Sequence, residues 1–207
     1  MSLGEYIGSG SGVTKLLLHL NGNSSDTSGN SNSGTDTAIT YVDGKFGKCA
    51  SFNGSSSQIN YTKSSNNYLI NDFTISAWAK LTSSTGANTI YQMGNCGLYF
   101  GGCHYWTGSA DVNLSDPNIP SAPSGWHLYT WTKSSTTGNV LYRDGSPVAT
   151  NANTTASSNS YGNVNVGRFD SPGNNWFDGC IDDLILESRV WTATEIKKYY
   201  TNSLGRF

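Results

Sequence analysis

Two adjacent aspartates, Asp182 and Asp183, lie inside the aliphatic run of "WFDGCIDDLILESRVWTATEI", residues 176–196. A carboxylate beside a core is costly unless it is paired, hydrogen-bonded or bound to a metal. Acid–base work is the first chemistry to weigh. A retaining glycosidase needs two carboxyl groups ~5 Å apart, which on a strand means alternate acids. Neighbouring residues on a strand point to opposite faces unless a bulge intervenes. The chain has three glutamates, Glu5, Glu187 and Glu195, and none has an alternate acidic partner on an expected strand. His19, His104 and His127 belong to no nucleophile pattern, and "GSADVN" is not a G-x-S-x-G elbow. His19 reads as a satisfied core or rim side chain.

Cation binding is the second chemistry. Calcium takes hard oxygen ligands from carboxylates, amides and backbone carbonyls. The loop "NGNSSDTSGN" supplies Asn21, Asp26 and Asn30, with glycines that permit tight turns. The competing assignment gives Asp26 to an Asx turn and Asp182 to loop amides.

Sugar recognition is the third. It needs aromatic faces to stack on a pyranose, with amides and carboxylates for the hydroxyls. "CHYWTG" offers His104, Tyr105 and Trp106, and "SPGNNW" offers Asn174, Asn175 and Trp176. Tyr91 joins them if its side chain faces outward. Packing of the loops is the alternative role for Trp106 and Trp176.

The elements that must position these residues are strands. The 207 residues are only 13% charged and 12% aromatic, a composition of many strands joined by polar turns. Alternation in "FTISAWAK" puts Phe73, Ile75 and Ala77 on one face, and Thr74, Ser76 and Trp78 on the other. Asp144-Gly145 between extended segments signals a hairpin. Thr192 and Glu195 form a capping box, and Ile196, Tyr199 and Tyr200 share one helical stripe. A short helix over residues 193–203 is expected to cover the outward face of the preceding strand. Residues 104–125, with three of the five prolines, read as a long loop.

Residues 1–12 read as a flexible leader or an expression remnant without signal-peptide character, and 13–207 as one domain. No apolar run reaches the ~20 residues of a membrane-spanning helix, so no membrane insertion is expected. The formal net charge of -2 and scattered basic residues exclude a nucleic-acid stripe. The four cysteines form no C-x-x-C pair. They read as four buried thiols or, if oxidised, as Cys96–Cys103 and Cys49–Cys180 disulfides.

In order, "KFGKCASFNGSSSQINY", "FTISAWAK", "GWHLYTWTKSSTTGNVLYRDGSPVAT", "NVNVGRF" and the F-D-G-x-I-D-D strand with its T-x-x-E-I helix start resemble laminin-G-like domains. These belong to the concanavalin A-like lectin and glucanase superfamily, and the resemblance covers roughly residues 14–200. It implies an all-β, antiparallel jelly-roll sandwich with one short C-terminal helix. It also implies core positions for Phe52, Trp78 and Phe177. In such domains an aspartate of a D-x-S-G loop and one of the I-D-D strand commonly share calcium. The matching positions are Asp26 and Asp182, with Asn21 as a carbonyl donor.

The expected function is a non-catalytic, lectin-like domain that binds a carbohydrate or glycoprotein, with a structural Ca2+ ion. It would act outside the cell, or within a larger multidomain or virion assembly. A phage or virion structural domain is the first alternative, since the opening "LLLHLNG" resembles phage-associated members of the family. A glycoside hydrolase with an atypical acid pair is the second.

Overall fold

A computed structural model describes residues 13–32, 34–61, 71–83, 88–158, 163–170 and 175–205. The expected leader, residues 1–12, lies outside them. Two antiparallel sheets face each other. The strands of the first half are β1 (Thr14–Leu18), β2 (Gly34–Thr37), β3 (Thr40–Asp43), β4 (Lys48–Asn53), β5 (Gln58–Tyr61), β6 (Phe73–Leu81), β7 (Thr89–Met93) and β8 (Cys96–Tyr99). Those of the second half are β9 (Gly102–Trp106), β10 (Asp111–Ser115), β11 (His127–Ser134), β12 (Gly138–Arg143), β13 (Ser146–Asn151), β14 (Val164–Val166), β15 (Arg168–Phe169), β16 (Asn175–Trp176) and β17 (Asp178–Glu187). The helix α1 spans Ala193–Ser203.

The eight-stranded sheet runs β13-β12-β11-β6-β17-β4-β3, with β1 also on β17. The seven-stranded sheet runs β10-β9-β8-β7-β14-β5-β2, and β15 and β16 form a separate hairpin. Alternation along each strand builds the core between them. Phe73, Ile75 and Ala77 point inward with Phe52, Tyr91, Tyr105, Trp131 and Phe177. Trp131, with no exposed surface, is a full core residue.

The opposite face of β6 carries Trp78 into a second apolar cluster with Leu17, Leu128, Ile185, Trp191, Ile196 and Tyr199. This layer exists because α1 lies on the eight-stranded sheet, as the two-sided apolar pattern of β17 requires. The helix begins where the sequence marks it. Thr192 accepts from the Glu195 amide, and the Glu195 side chain accepts from the Thr192 amide, a cap worth about 1 kcal/mol. The Trp191 indole donates to Glu187 Oε2 at 2.7 Å, which places the ring under the first turn. Asp144 and Gly145 turn between β12 and β13 with φ of 53° and 75°, in the left-handed region that the hairpin needs.

Two expectations change. Residues 104–125 are no long loop, because β9 and β10 form a regular hairpin with Trp106 opposite Asp111 and His104 opposite Asn113. The alternation of Cys103 and Tyr105 inward with His104 and Trp106 outward was present in the sequence, but the downstream prolines masked it. The four cysteines are buried free thiols, so neither disulfide is formed in this structure. Cys103 stands opposite Leu98 rather than Cys96, and the Cys96 thiol lies 3.0 Å from Ser157 Oγ instead.

Candidate functional site

The two aspartates sit where β17 changes partners. Its first half pairs with β4 through Ile181, and its second half pairs with β1 from Leu184 onward. The register against β6 shifts between Asp182 and Ile185, and Asp183 adopts a φ of 44°. A bulge therefore occupies the gap between two half-length neighbours. Each carboxylate ties down one flank of that gap. Asp182 Oδ2 accepts from the amides of Lys45 and Phe46, both at 2.9 Å, in the turn before β4. Asp183 Oδ1 lies 2.8 Å from His19 Nδ1, just after β1. Asp182 is fully buried, and its Oδ1 meets no partner in hydrogen-bonding geometry. Burial first, and the Asp183 charge after the opposing pull of the Phe46 amide, push its carboxyl up to about 7.

Asp26 is held elsewhere. It bridges to Leu18 on the edge of β1 away from β17, so β1 stands between Asp26 and Asp182. Asp26 Oδ1 accepts from the Leu17 and Ser28 amides at 3.1 and 2.9 Å. Its Oδ2 accepts from Ser28 Oγ and from the amide and side chain of Asn32. Asn21 Oδ1 accepts from the Lys48 amide at 3.0 Å. Asn21 and Asp182 thus both hold the turn at residues 45–48, whereas Asp26 is committed to β1 and to Ser28 and Asn32, so Asp26 and Asp182 do not fit one shared ion. Among the described residues no three His, Cys, Asp or Glu side chains gather as a metal site. The opening carboxylates serve chain closure.

The open chemistry lies on the outer face of the seven-stranded sheet. On β9, His104 and Trp106 point outward and are half-buried, while Cys103 and Tyr105 enter the core. Tyr99 on β8 lays its ring parallel to His104, with centroids 5.7 Å apart and Oη 2.7 Å from Nδ1. Gly97 makes this possible, because a Cβ there would come within 2.9 Å of Tyr99 Oη. Burial holds the His104 imidazole below its ordinary range, against the opposing pull of Asp111, and so disfavours its charged form. Phe169 of the β15–β16 hairpin tilts over the same pair, 5.4 Å from the His104 ring.

That hairpin leans over the middle strands. Trp176 pairs with Arg168, whose guanidinium carbon lies 4.8 Å from the indole centroid. Arg168 also reaches Asp170 Oδ1 at 2.9 Å and Gln58 Oε1 at 3.1 Å. Beneath them runs a ladder of side-chain amides across three strands. Asn60 donates to Asn165 at 2.7 Å, and Asn165 donates to Gln92 at 3.1 Å and to Asp170 at 2.8 Å. Asn165 and Gln92 are buried by the hairpin, whereas Trp176, Asn175, Arg168, Phe169, Tyr99, His104 and Trp106 are half-exposed. Rings with one free face, beside amides and carboxylates, can stack on an apolar sugar face and bond its hydroxyls.

The structure brings four of the sequence candidates, His104, Trp106, Asn175 and Trp176, onto this face. Tyr91 and Tyr105 are corrections. Both are fully buried core residues, because their strand positions share the inward phase of Met93 and Cys103. Asn174 lies outside the described residues. Sequence reasoning missed Arg168, Phe169, Asp170, Tyr99 and the ladder of Asn60, Gln92 and Asn165. The ladder's signal was the alternation of amides with apolar residues in "QINY" and "NVNV", with the single Gln92 between Tyr91 and Met93 in "TIYQM".

A family model for the concanavalin A-like lectin/glucanases superfamily, of laminin-G type, matches residues 53–197. Solved structures agree in fold. The binding domain of Paraclostridial mosquitocidal protein 1 superposes with a TM-score of 0.72 at 15% identity, over 93% of this chain and 53% of that one. The binding domain of botulinum neurotoxin DC, solved with rat synaptotagmin II, gives 0.73 at 16%, over 94% and 52%. Domain 4 of AbnA, an extracellular GH43 arabinanase from Geobacillus stearothermophilus solved with arabinotriose, gives 0.69 at 19%, over 91% and 98%. The chain spans about half the length of the toxin binding domains. No curated protein matches it by sequence.

Proposed function

The chain belongs to the laminin-G-like family of the concanavalin A-like lectin/glucanase superfamily, and from that premise we propose that it is a non-catalytic recognition domain for a carbohydrate or the glycan of a glycoprotein. One observation carries the reading: half-exposed aromatic rings stand beside hydrogen-bonding side chains on the outer face of the seven-stranded sheet. Trp176, with Arg168 on one side of its ring, offers an indole surface for stacking. Tyr99, His104 and Trp106 continue the surface toward β9. Buried amides of the ladder hold Asp170, and Asp170 holds Arg168, so the polar groups are pre-set before a ligand arrives. The solved neighbours include an arabinanase domain with arabinotriose bound, and that kinship of fold supports a sugar partner here. Such a partner is met outside the cell or on a displayed surface.

Catalysis gains no support from the carboxylates. Asp182 and Asp183 are buried and bonded to the chain itself, and hydrolysis requires an acid pair flanking an open cleft.

The test is a glycan microarray probed with the wild-type protein and with Trp176→Ala. Wild type binds at least one glycan, and the variant loses that signal while melting at an unchanged temperature. If the folded wild type binds no glycan, the carbohydrate reading fails and a structural role within a larger assembly takes its place.

A further inference from the structure

The charge on the open face says which sugars it admits. Among the described residues of the seven-stranded sheet and the β15–β16 hairpin, Arg168 is the sole lysine or arginine. Its guanidinium is already matched to Asp170 at 2.9 Å, and the exposures of the two side chains are unequal: 26% for Arg168 and 48% for Asp170. A ligand arriving from solvent therefore meets the carboxylate before the cation. Asp111, opposite Trp106 on β10, adds a second exposed carboxylate to the same face. At His104 burial disfavours the charged form, against the pull of Asp111. Proteins that hold anionic groups do so with arginine forks or lysine clusters whose charge is free to meet the ligand. Here the cation is spoken for, and two carboxylates face outward.

Resting on the reading of this face as the sugar-binding surface, we infer that its ligand is a neutral oligosaccharide, one without carboxylate, sulfate or sialyl groups. Sugar hydroxyls donate to Asp170 and Asp111, and such charge-assisted bonds are about twice as strong as neutral ones. Asn113, on β10 opposite His104, and Asn175, on the hairpin, supply amide donors and acceptors beside the rings. A carboxylate on the sugar would instead meet Asp170 and Asp111, and among the described residues of this sheet and hairpin no lysine or arginine besides the Asp170-matched Arg168 receives it. Like charges set face to face work against a partner and slow its approach.

The experiment compares neutral oligosaccharides with uronate, sialylated and sulfated counterparts of the same length, on one array, at low and physiological salt. The expected result is at least about tenfold stronger binding of the best neutral ligand than of its charged counterpart, with little change on adding salt. Asp170→Asn keeps an acceptor for Asn165 but releases Arg168. In this variant the charged-to-neutral ratio should rise by about tenfold, since one repulsive charge is gone and one cation is freed. Arg168→Gln gives an independent reading should the first variant not fold: its ratio moves the other way, further toward neutral ligands. Equal or stronger binding of acidic glycans by wild type overturns the inference and leaves the carbohydrate reading standing. So does an unchanged ratio in both variants. A folded protein that binds neither set overturns both.

Discussion

The two sheets turn opposite kinds of surface outward. On the eight-stranded sheet, Leu17, Trp78, Leu128 and Ile185 point away from the core, yet α1 and Trp191 cover them. On the seven-stranded sheet the outward residues include amides and rings, and among the described residues the short β15–β16 hairpin leans over them. The difference lies in what covers each face, and it sorts the polar chemistry accordingly. Polar groups beneath the helix side are consumed by the fold. Glu187, fully buried, accepts from Trp191 and pairs with Arg189, and Asp182 and Asp183 close the gap between β4 and β1. Polar groups on the open side keep part of their surface for a partner. The buried carboxylates are thus explained by the fold itself, and the proposed binding rests on the half-exposed tryptophan beside an arginine.

The largest expected effect is on the covered face. Trp191→Ala removes a fully buried ring and the indole bond to Glu187, and should cost about 3–5 kcal/mol in denaturant unfolding. Sugar binding by the remaining folded protein should persist. If binding falls with unfolding corrected for, the two faces are not independent.

Next comes Trp176→Ala on the open face. The ring is half-exposed and touches Arg168, so unfolding should change by less than about 1 kcal/mol. Affinity for the array-selected glycan should fall tenfold or more, which is at least ~1.4 kcal/mol. A loss of stability comparable to that of Trp191→Ala would make this tryptophan a packing residue.

A pH dependence separates structural carboxylates from functional ones. The Asp182 carboxyl, ordinarily near 3.8, is pushed up to about 7 in the folded protein. Between those values the folded state binds the proton and the unfolded state does not, so this group makes the fold more stable as pH falls from 7 toward 4. Asp182→Asn abolishes that contribution. The stability of the variant minus that of wild type should be most positive above pH 7. It should decline, by between about 1 and 4 kcal/mol, as the solution is acidified to about pH 4, roughly three pKa units at ~1.4 kcal/mol each setting the ceiling. Paired urea melts across the range check it, and a gap that widens on acidification would refute the assignment.

The smallest effect is none at all. Adding a calcium chelator should leave the melting temperature where it was, because Asp26 and Asp182 are each bonded to different backbone amides. A chelator-sensitive melt restored by calcium would show that an ion orders the rim after all.

Local signals were legible where they are short-range. The capping box at Thr192 and Glu195 placed α1 to the residue, and Asp144-Gly145 marked its hairpin. The apolar character of β17 on both sides foretold a covering helix. What could not be read depends on pairing between distant segments. Loop amides for Asp182 and an Asx turn for Asp26 were legible as assignments, but nothing near Asp182 in the sequence says that β17 is shared end to end by β4 and β1. The inward phase of Tyr91 and Tyr105 follows from which sheet face is the core, and that is a tertiary fact. Arg168 and Asp170 gain their role only where β15 and β16 meet the side chains of Gln58, Gln92 and Asn165, which are distant in sequence.

The most direct measurement follows the indole N–H resonances of the six tryptophans during titration with the neutral glycan that the array selects. The account predicts that Trp176 and Trp106 move and saturate together, while Trp78 and Trp191, beneath the helix, stay still. Saturating shifts at Trp78 or Trp191 with Trp176 unmoved would contradict it, because the ligand would then be seated on the face assigned here to folding alone.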